Sequence, residues 1–128
     1  MIVLDTSAVL AILWREPEAD GFMKIVANAN GLMMSTATRL ELEIVCVRRK
    51  GEAEARNIAR FVSEFHIGLE VFDELQLMLA EQAFAKYGSG RHGLNFGDCF
   101  SYALAKARDL PLLFKGEDFA ATDVKRAL

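Results

Sequence analysis

The chain has 128 residues and is 52% hydrophobic, which is enough to bury one core and leaves no room for a second domain. Its net charge of −3 argues against a protein that binds nucleic acid through bulk positive charge. The same charge is compatible with an enzyme that contacts nucleic acid through metal ions. The sequence shows neither a signal peptide nor an apolar run of about 18 residues, so we expect a soluble, cytoplasmic protein without membrane association.

Four short apolar runs predict β-strands, and they are residues 2–4, 32–35, 69–72 and 112–114. The third run is the weakest, because it is short and alternates. Helical periodicity separates successive runs, so the strands should be parallel, with right-handed crossovers and helices on both faces. We therefore predict an α/β domain with three α/β/α layers and a central parallel sheet of four to five short strands.

Capping residues and apolar spacing predict six helices. The first should follow a cap at Thr6 or Ser7, and the second should open at Pro17. The third should be capped by Thr36 or Thr38 and should turn its apolar residues inward, namely Leu40, Ile44, Val45 and Val47. Later helices are expected at 52–66 and 74–87, and the last begins near Asp98.

The two cysteines, Cys46 and Cys99, fall in predicted helices without metal-ligand spacing. We interpret them as small buried apolar residues of a protein from a reducing compartment, with no zinc site. Cys99 has no histidine placed to activate it, and the chain contains no nucleophile elbow. Covalent catalysis by a Ser/His/Asp or Cys/His arrangement is therefore disfavoured.

Four acids are expected near one edge of the sheet. Asp5 and Asp118 follow strands, whereas Glu41 and Asp98 lie near the starts of helices. Glu43 is two residues from Glu41 and so points to another side of its helix. Asp98 alone could be a simple helix cap, but ligands of parallel α/β folds gather beyond the carboxyl ends of the strands, where the other acids also lie.

Carboxylates at close range repel one another and raise each other's pKa values unless a cation screens them. Oxygen ligands without histidine or cysteine favour Mg²⁺ or Mn²⁺. A site of this kind that is open to water and phosphate oxygens is suited to hydrolysis of a phosphodiester.

Four segments, in this order, resemble the motifs of PIN-domain ribonucleases of the VapC toxin type. They are residues 2–8 (IVLDTSA), 35–41 (STATRLE), 94–100 (LNFGDCF) and 113–119 (LFKGEDF). The ordered set is specific and spans essentially the whole chain. The resemblance implies a single PIN domain over residues 1–128.

The same resemblance implies the toxin of a type II toxin–antitoxin pair, a Mg²⁺- or Mn²⁺-dependent endoribonuclease inhibited by a VapB-type antitoxin. By motif match, Asp5 and Asp98 are the metal ligands, and Glu41 is a further acid of the catalytic site. Many PIN domains carry the fourth acid where this chain has Gly116. Asp118 is the nearest substitute and could act through water, and Asp123 is a second candidate.

The resemblance also implies roles around the site. Thr6 or Ser7 would orient Asp5 or a bound water. RNA phosphates beside the cleaved bond would meet scattered cations, for which the candidates are Arg39, Arg91, Lys106 and Lys115. A homodimer is implied, with the antitoxin in an apolar groove near the first helices, for which the candidate lining residues are Trp14, Phe22 and Met23.

Two other functions remain open from the sequence. One is a PIN-like binding module without catalytic activity. The other is a phosphoacceptor receiver domain, in which Asp5, Asp73 and Lys115 would carry the chemistry. That interpretation expects a second acid beside Asp5, where the chain has Leu4 and Thr6.

Overall fold

A computed structural model describes residues 1–128. The four strands are β1 (Ile2–Leu4), β2 (Leu32–Ser35), β3 (Gly68–Glu70) and β4 (Leu112–Leu113). The six helices are α1 (Thr6–Leu13), α2 (Ala19–Asn28), α3 (Thr36–Lys50), α4 (Glu54–Glu64), α5 (Glu74–Tyr87) and α6 (Phe96–Arg108). None of the helices is both long enough and apolar enough to span a membrane.

The strands form one parallel sheet in the order β3-β2-β1-β4. Strands β1, β2 and β4 are buried along their whole length, as expected for a parallel sheet covered on both faces. The predicted α/β/α fold with four short parallel strands is therefore confirmed. The third strand was predicted at residues 69–72 but spans Gly68–Glu70. Its last pair joins Glu70 to Ser35, and Val71 lies exposed beyond the sheet.

Apolar side chains form one cluster on each face of the sheet. Ile2 and Leu4 belong to a cluster that includes Leu42 of α3, whereas Val3 belongs to a cluster that includes Leu104 of α6. Successive side chains of a strand point to opposite faces, which explains why β1 contributes to both clusters. The sheet edge beyond Leu4 is thus fixed between two packed layers.

Two helix starts differ from the predictions because the last residue of the preceding strand, or the residue after it, provides the cap. Asp5 caps α1 by accepting a hydrogen bond from the Ser7 backbone N–H, so the cap is neither Thr6 nor Ser7. Ser35 caps α3 by accepting from the Ala37 N–H, in place of Thr36 or Thr38. The second helix, α2, begins at Ala19 and not at Pro17. The connections from β1 to α1 and from β2 to α3 are therefore shorter than predicted, whereas α2 begins later than predicted.

The inward face of α3 was predicted wrongly. Leu40 and Ile44 are 60% and 42% exposed, whereas Thr38, Leu42 and Cys46 are buried. The buried residues follow a four-residue spacing, which places Leu40 and Ile44 on a different side of the helix. Burial of Cys46 agrees with the prediction, but Cys99 is only partly buried.

Candidate active site

Asp5 follows directly after β1 and is only 4% exposed. Its Oδ2 accepts hydrogen bonds from the Ser7 N–H at 3.0 Å and the Ser7 hydroxyl at 2.7 Å. Its Oδ1 accepts from the Ser101 hydroxyl at 2.5 Å. The Ser7 hydroxyl also accepts from the Lys115 N–H at 3.0 Å, which links Asp5 to the segment after β4. The Asp5 carboxylate is thus oriented by both of its oxygens.

Asp98 lies in the first turn of α6 and forms a capping box with Asn95. The Asp98 N–H donates to Asn95 Oδ1 at 2.9 Å, and the Asn95 N–H donates to Asp98 Oδ2 at 3.0 Å. Capping therefore is a real role of this residue, but it occupies only one carboxylate oxygen. Asp98 is 8% exposed, and Asn95 contacts only its Oδ2.

The pKa of Asp98 is raised to about 7, mainly by burial and also by the charges of Asp5 and Asp118 and a hydrogen bond with the Asp118 carboxyl group. The Asn95 backbone hydrogen bond opposes this rise but does not outweigh it. Three of the four predicted acids therefore lie close enough to interact electrostatically. Such a group of carboxylates favours either a shared proton or a bound cation.

The other predicted acid is Glu41, and α3 places its carboxylate beside Asp5. The Thr6 hydroxyl donates to Glu41 Oε1 at 2.5 Å. Burial raises the pKa of Glu41, the Thr6 hydrogen bond lowers it, and the charge of Asp5 raises it again. Ser7 makes the contact with Asp5 that was predicted for Thr6 or Ser7, whereas the contact of Thr6 with Glu41 was not predicted.

Gly97 allows α6 to approach the Glu41 carboxylate closely. A Cβ atom at position 97 would overlap the Glu41 carboxylate oxygens and carbon. The absence of a side chain at this position therefore brings Asp98 and Glu41 into one site.

Gly97→Ala is expected to displace Glu41 from Thr6 and to lower the RNA cleavage that the motif resemblance implies by on the order of 100-fold, because a misplacement of about 1 Å has this effect in active sites. The measurements are the cleavage rate and the unfolding temperature of the variant, each compared with that of the unmodified protein. Gly21→Ala is the matched control, since a Cβ there meets no atom within 4 Å. Cleavage by Gly97→Ala at the rate of the unmodified protein would show that Glu41 need not stay where the structure places it.

The two candidates for the remaining acid occupy different places. Asp118 lies beside Asp98 and raises its pKa. Asp123 instead accepts a hydrogen bond from the Tyr102 hydroxyl at 2.5 Å and pairs with Lys106 Nζ at 3.0 Å, toward the other end of α6. The placement therefore favours Asp118.

Sequence reasoning missed two hydroxyl residues of this site. Ser101 donates to Asp5, and Thr38 lies 3.3 Å from the Ser101 hydroxyl. Both side chains are fully buried. The only signal in the sequence was that Ser101 stands one helical turn after Asp98 in an otherwise apolar stretch.

The PIN domain family model matches residues 2–125 of the chain. A ribonuclease VapC of Mycolicibacterium smegmatis is 47% identical over 125 residues, which cover 96% of this chain and 97% of that protein. The chain belongs to the VapC ribonuclease family. Ribonuclease VapC30 of Mycobacterium tuberculosis is 44% identical over 96% of this chain and 95% of its own length.

Solved structures of VapC proteins share the fold. The crystal structure of Mycobacterium tuberculosis VapC20, a toxin that cleaves the sarcin–ricin loop, superposes with a TM-score of 0.76 at 20% identity. The match covers 97% of this chain and 96% of that one. VapBC2 from Rickettsia felis, bound to a promoter DNA fragment, gives a TM-score of 0.73 at 17% identity, with 98% and 96% covered.

PIN-domain VapC ribonucleases generally depend on a divalent metal ion. In this chain, no three His, Cys, Asp or Glu side chains are arranged to chelate an ion by themselves. Mg²⁺ commonly binds through one or two carboxylates and completes its shell with water and substrate phosphate. Asp5 and Asp98, both buried and each with a free acceptor position, fit that donor set.

The candidate RNA-binding cations differ in their surroundings. Three of them are already paired: Arg39 with Glu43, Lys106 with Asp123, and Lys115 with both Glu16 and Glu18. Arg91 is exposed and makes no ion pair, so it is the cation of this set whose charge is free for a phosphate.

The three candidate residues of the antitoxin groove differ in their exposure to solvent. Phe22 belongs to the apolar core, so core packing, the simpler explanation of this residue, accounts for it and it does not line a surface groove. Trp14 is partly buried and lies under Lys50, whose Nζ is 5.3 Å from the ring centroid. Met23 lines a surface cavity with Leu13 and Pro17. Trp14 and Met23 therefore remain accessible near α1 and α2.

Membership of the VapC family excludes the receiver-domain interpretation. Asp73, which that interpretation needs in the site, caps α5 by accepting from the Gln76 N–H at 2.9 Å. Lys115 Nζ lies 3.3 Å from Glu16 and 3.4 Å from Glu18. Both residues are thus engaged in structural contacts.

Proposed function

We propose that this chain is the toxin of a type II toxin–antitoxin pair and that it hydrolyses RNA phosphodiester bonds internally, using Mg²⁺ or Mn²⁺ held by Asp5 and Asp98. Membership of the family makes the chain a ribonuclease. The observation that supports the site is the burial of Asp98 beside Asp5 and Asp118, which raises its pKa to about 7. A buried acid cluster of this kind is stabilised by a divalent cation.

Each acid has its own part in this proposal. When bound, the metal ion stabilises charge on the phosphate and lowers the pKa of a bound water. Asp5 and Asp98 would hold it through Oδ1, since Ser7 and Asn95 already fix the other oxygen of each carboxylate and little reorganisation is required. Asp118 adds negative charge beside Asp98 and would act on a bound ion through water.

Glu41 is suited to accept the proton of the attacking water. Its Oε1 is held by Thr6, while Oε2 accepts no hydrogen bond from the protein and occupies the space that a side chain at position 97 would fill. Burial raises the Glu41 pKa, which makes the ionised carboxylate a better base.

Two protein partners belong to the proposal. A VapB-type antitoxin is supported by the solved complexes of similar fold, such as VapBC from Salmonella typhimurium bound to DNA. A homodimer is supported by an exposed apolar face next to the acids, where the exposed fractions are 80% for Phe96, 60% for Leu40 and 42% for Ile44. Contiguous apolar patches of this kind mark interfaces.

The proposal treats residues 1–128 as one PIN domain that acts in the cytoplasm. The two cysteines are free, in keeping with a reducing compartment. RNA loops are the expected substrates, because side chains contact splayed single-stranded bases more easily than an A-form duplex.

The test is cleavage of a pool of structured RNAs by antitoxin-free protein, with Mg²⁺, with Mn²⁺ and with a chelator. Glu41→Gln should lower the cleavage rate by on the order of 100- to 10,000-fold, as expected for loss of a general base. Glu43→Gln is the matched control: it lies on the same helix two residues away and pairs with Arg39 outside the site. It should cleave like the unmodified protein.

Discrete, metal-dependent cuts that vanish in Asp5→Asn would support the proposal. Cuts that persist in chelator, or that Glu41→Gln and Glu43→Gln reduce equally, would contradict it. Metal binding without cleavage of any RNA in the pool would instead favour a PIN-like binding module without catalytic activity.

A further inference from the structure

We propose that Ser101 is a positioning residue that commits Asp5 to bind the metal ion through a single oxygen, and that Thr38 holds Ser101 in this role. This inference rests on the proposed function, because it assigns a task to Asp5 as a metal ligand. It concerns two buried hydroxyls that connect helices α3 and α6 to the end of β1.

The argument starts from the acceptor positions of Asp5. Each carboxylate oxygen has two lone pairs. The two lone pairs of Oδ2 are used by the N–H and the hydroxyl of Ser7, at 3.0 and 2.7 Å. One lone pair of Oδ1 is used by the Ser101 hydroxyl at 2.5 Å. One acceptor position on Oδ1 is left, and it is the position from which Asp5 can bind a cation without giving up a hydrogen bond.

The direction of the hydroxyl protons follows from the acceptor-only character of an ionised carboxylate. Ser101 must donate its single proton to Asp5, so the hydroxyl of Thr38, 3.3 Å away, donates to the Ser101 oxygen. Ser101 and Thr38 are both fully buried, so water cannot readily replace either hydroxyl. The chain of hydrogen bonds therefore runs in one direction, from Thr38 to Ser101 to Asp5.

Binding through one oxygen matters for the choice of ion. Mg²⁺ requires a compact, nearly octahedral shell, whereas Ca²⁺ accepts six to eight oxygens and often takes both oxygens of one carboxylate. Without the Ser101 hydrogen bond, the Asp5 carboxylate is held at Oδ2 only and can turn about that atom. Loss of Ser101 should therefore harm Mg²⁺ binding more than Ca²⁺ binding.

The experiment measures the affinities of full-length protein for Mg²⁺ and for Ca²⁺ by calorimetric titration, with unfolding temperatures taken in chelator. Ser101→Ala should weaken Mg²⁺ binding by about 10-fold or more, the usual effect of removing a residue that orients a metal ligand. Its Ca²⁺ affinity should change by less, so the Mg²⁺/Ca²⁺ affinity ratio should fall. Thr38→Val should shift the ratio in the same direction and by a smaller factor.

Ser63→Ala is the matched control, since Ser63 is an exposed serine of α4 far from the acids in sequence. Alanine is favourable within helices, so Ser101→Ala should remain folded. An unchanged Mg²⁺/Ca²⁺ ratio in a folded Ser101→Ala would overturn the inference and leave the proposed function intact. Failure of the unmodified protein to bind either ion would contradict the metal site itself and, with it, the inference.

Discussion

Asp98→Asn is expected to abolish RNA cleavage and, at the same time, to stabilise the metal-free protein at neutral pH. The amide oxygen of asparagine can still accept from the Asn95 N–H, so the capping box loses little. The substitution removes a buried carboxylate whose pKa is raised from 3.8 to about 7. The full shift corresponds to about 4 kcal/mol, and solvent screening reduces the expected gain to about 2 kcal/mol.

The measurement is denaturant unfolding in chelator at pH 7.5 or above, in parallel with a cleavage assay. Asp123→Asn provides the matched control with the opposite sign. Its carboxylate has a lowered pKa because Tyr102 and Lys106 contact it, so its removal should destabilise the protein. A destabilised Asp98→Asn would contradict the cost of burying this carboxylate, and one that still cleaves RNA with metal would show that Asp98 is only a helix cap.

The second large effect is the dependence of the stability of the fold on pH and on bound metal. A carboxyl group whose pKa is higher in the folded state favours folding below its unfolded pKa and loses that contribution as pH rises through the folded value. The metal-free protein should therefore lose stability between about pH 4 and pH 7, the window defined by the Asp98 pKa. The raised pKa of Glu41 acts in the same direction.

A divalent ion binds the deprotonated carboxylates, so it should stabilise the protein strongly at pH 8 and hardly at pH 5. An ion at 100 times its dissociation constant adds about 2.7 kcal/mol. Thermal unfolding in chelator and in Mg²⁺ over this pH range gives both curves, and Asp98→Asn should flatten both. Equal stabilisation by Mg²⁺ at pH 5 and pH 8 would mean that the ion binds somewhere other than this acid cluster.

Much of the site could be predicted from the sequence because its acids stand at the boundaries of regular elements. Asp5 follows an apolar run, and Asp98 precedes an apolar helix, so the topology of a parallel sheet brings them to one edge. Glu41 and Asp118, which were predicted at the same edge, also lie close enough to interact with these two acids. Their roles in catalysis stay predictions until variants are measured.

The errors have a common physical origin: an apolar residue on the surface and one in the core look alike in a sequence. Leu40 and Ile44 were assigned inward, yet they are exposed, whereas Phe22, one candidate for the antitoxin groove, lies in the core. Only the packing of α3 against its neighbours decides which face is covered. Ser101 and Thr38 were missed for a related reason, since a buried hydroxyl is recognised by its partner and not by its spacing.

The most direct test of the central claim is titration of Mn²⁺ into antitoxin-free protein, followed by electron paramagnetic resonance of the unbound ion. The account predicts saturable binding by the unmodified protein and by Glu43→Gln, and loss of that binding in Asp5→Asn and in Asp98→Asn. Unchanged Mn²⁺ binding in both aspartate variants would contradict a metal site built on Asp5 and Asp98.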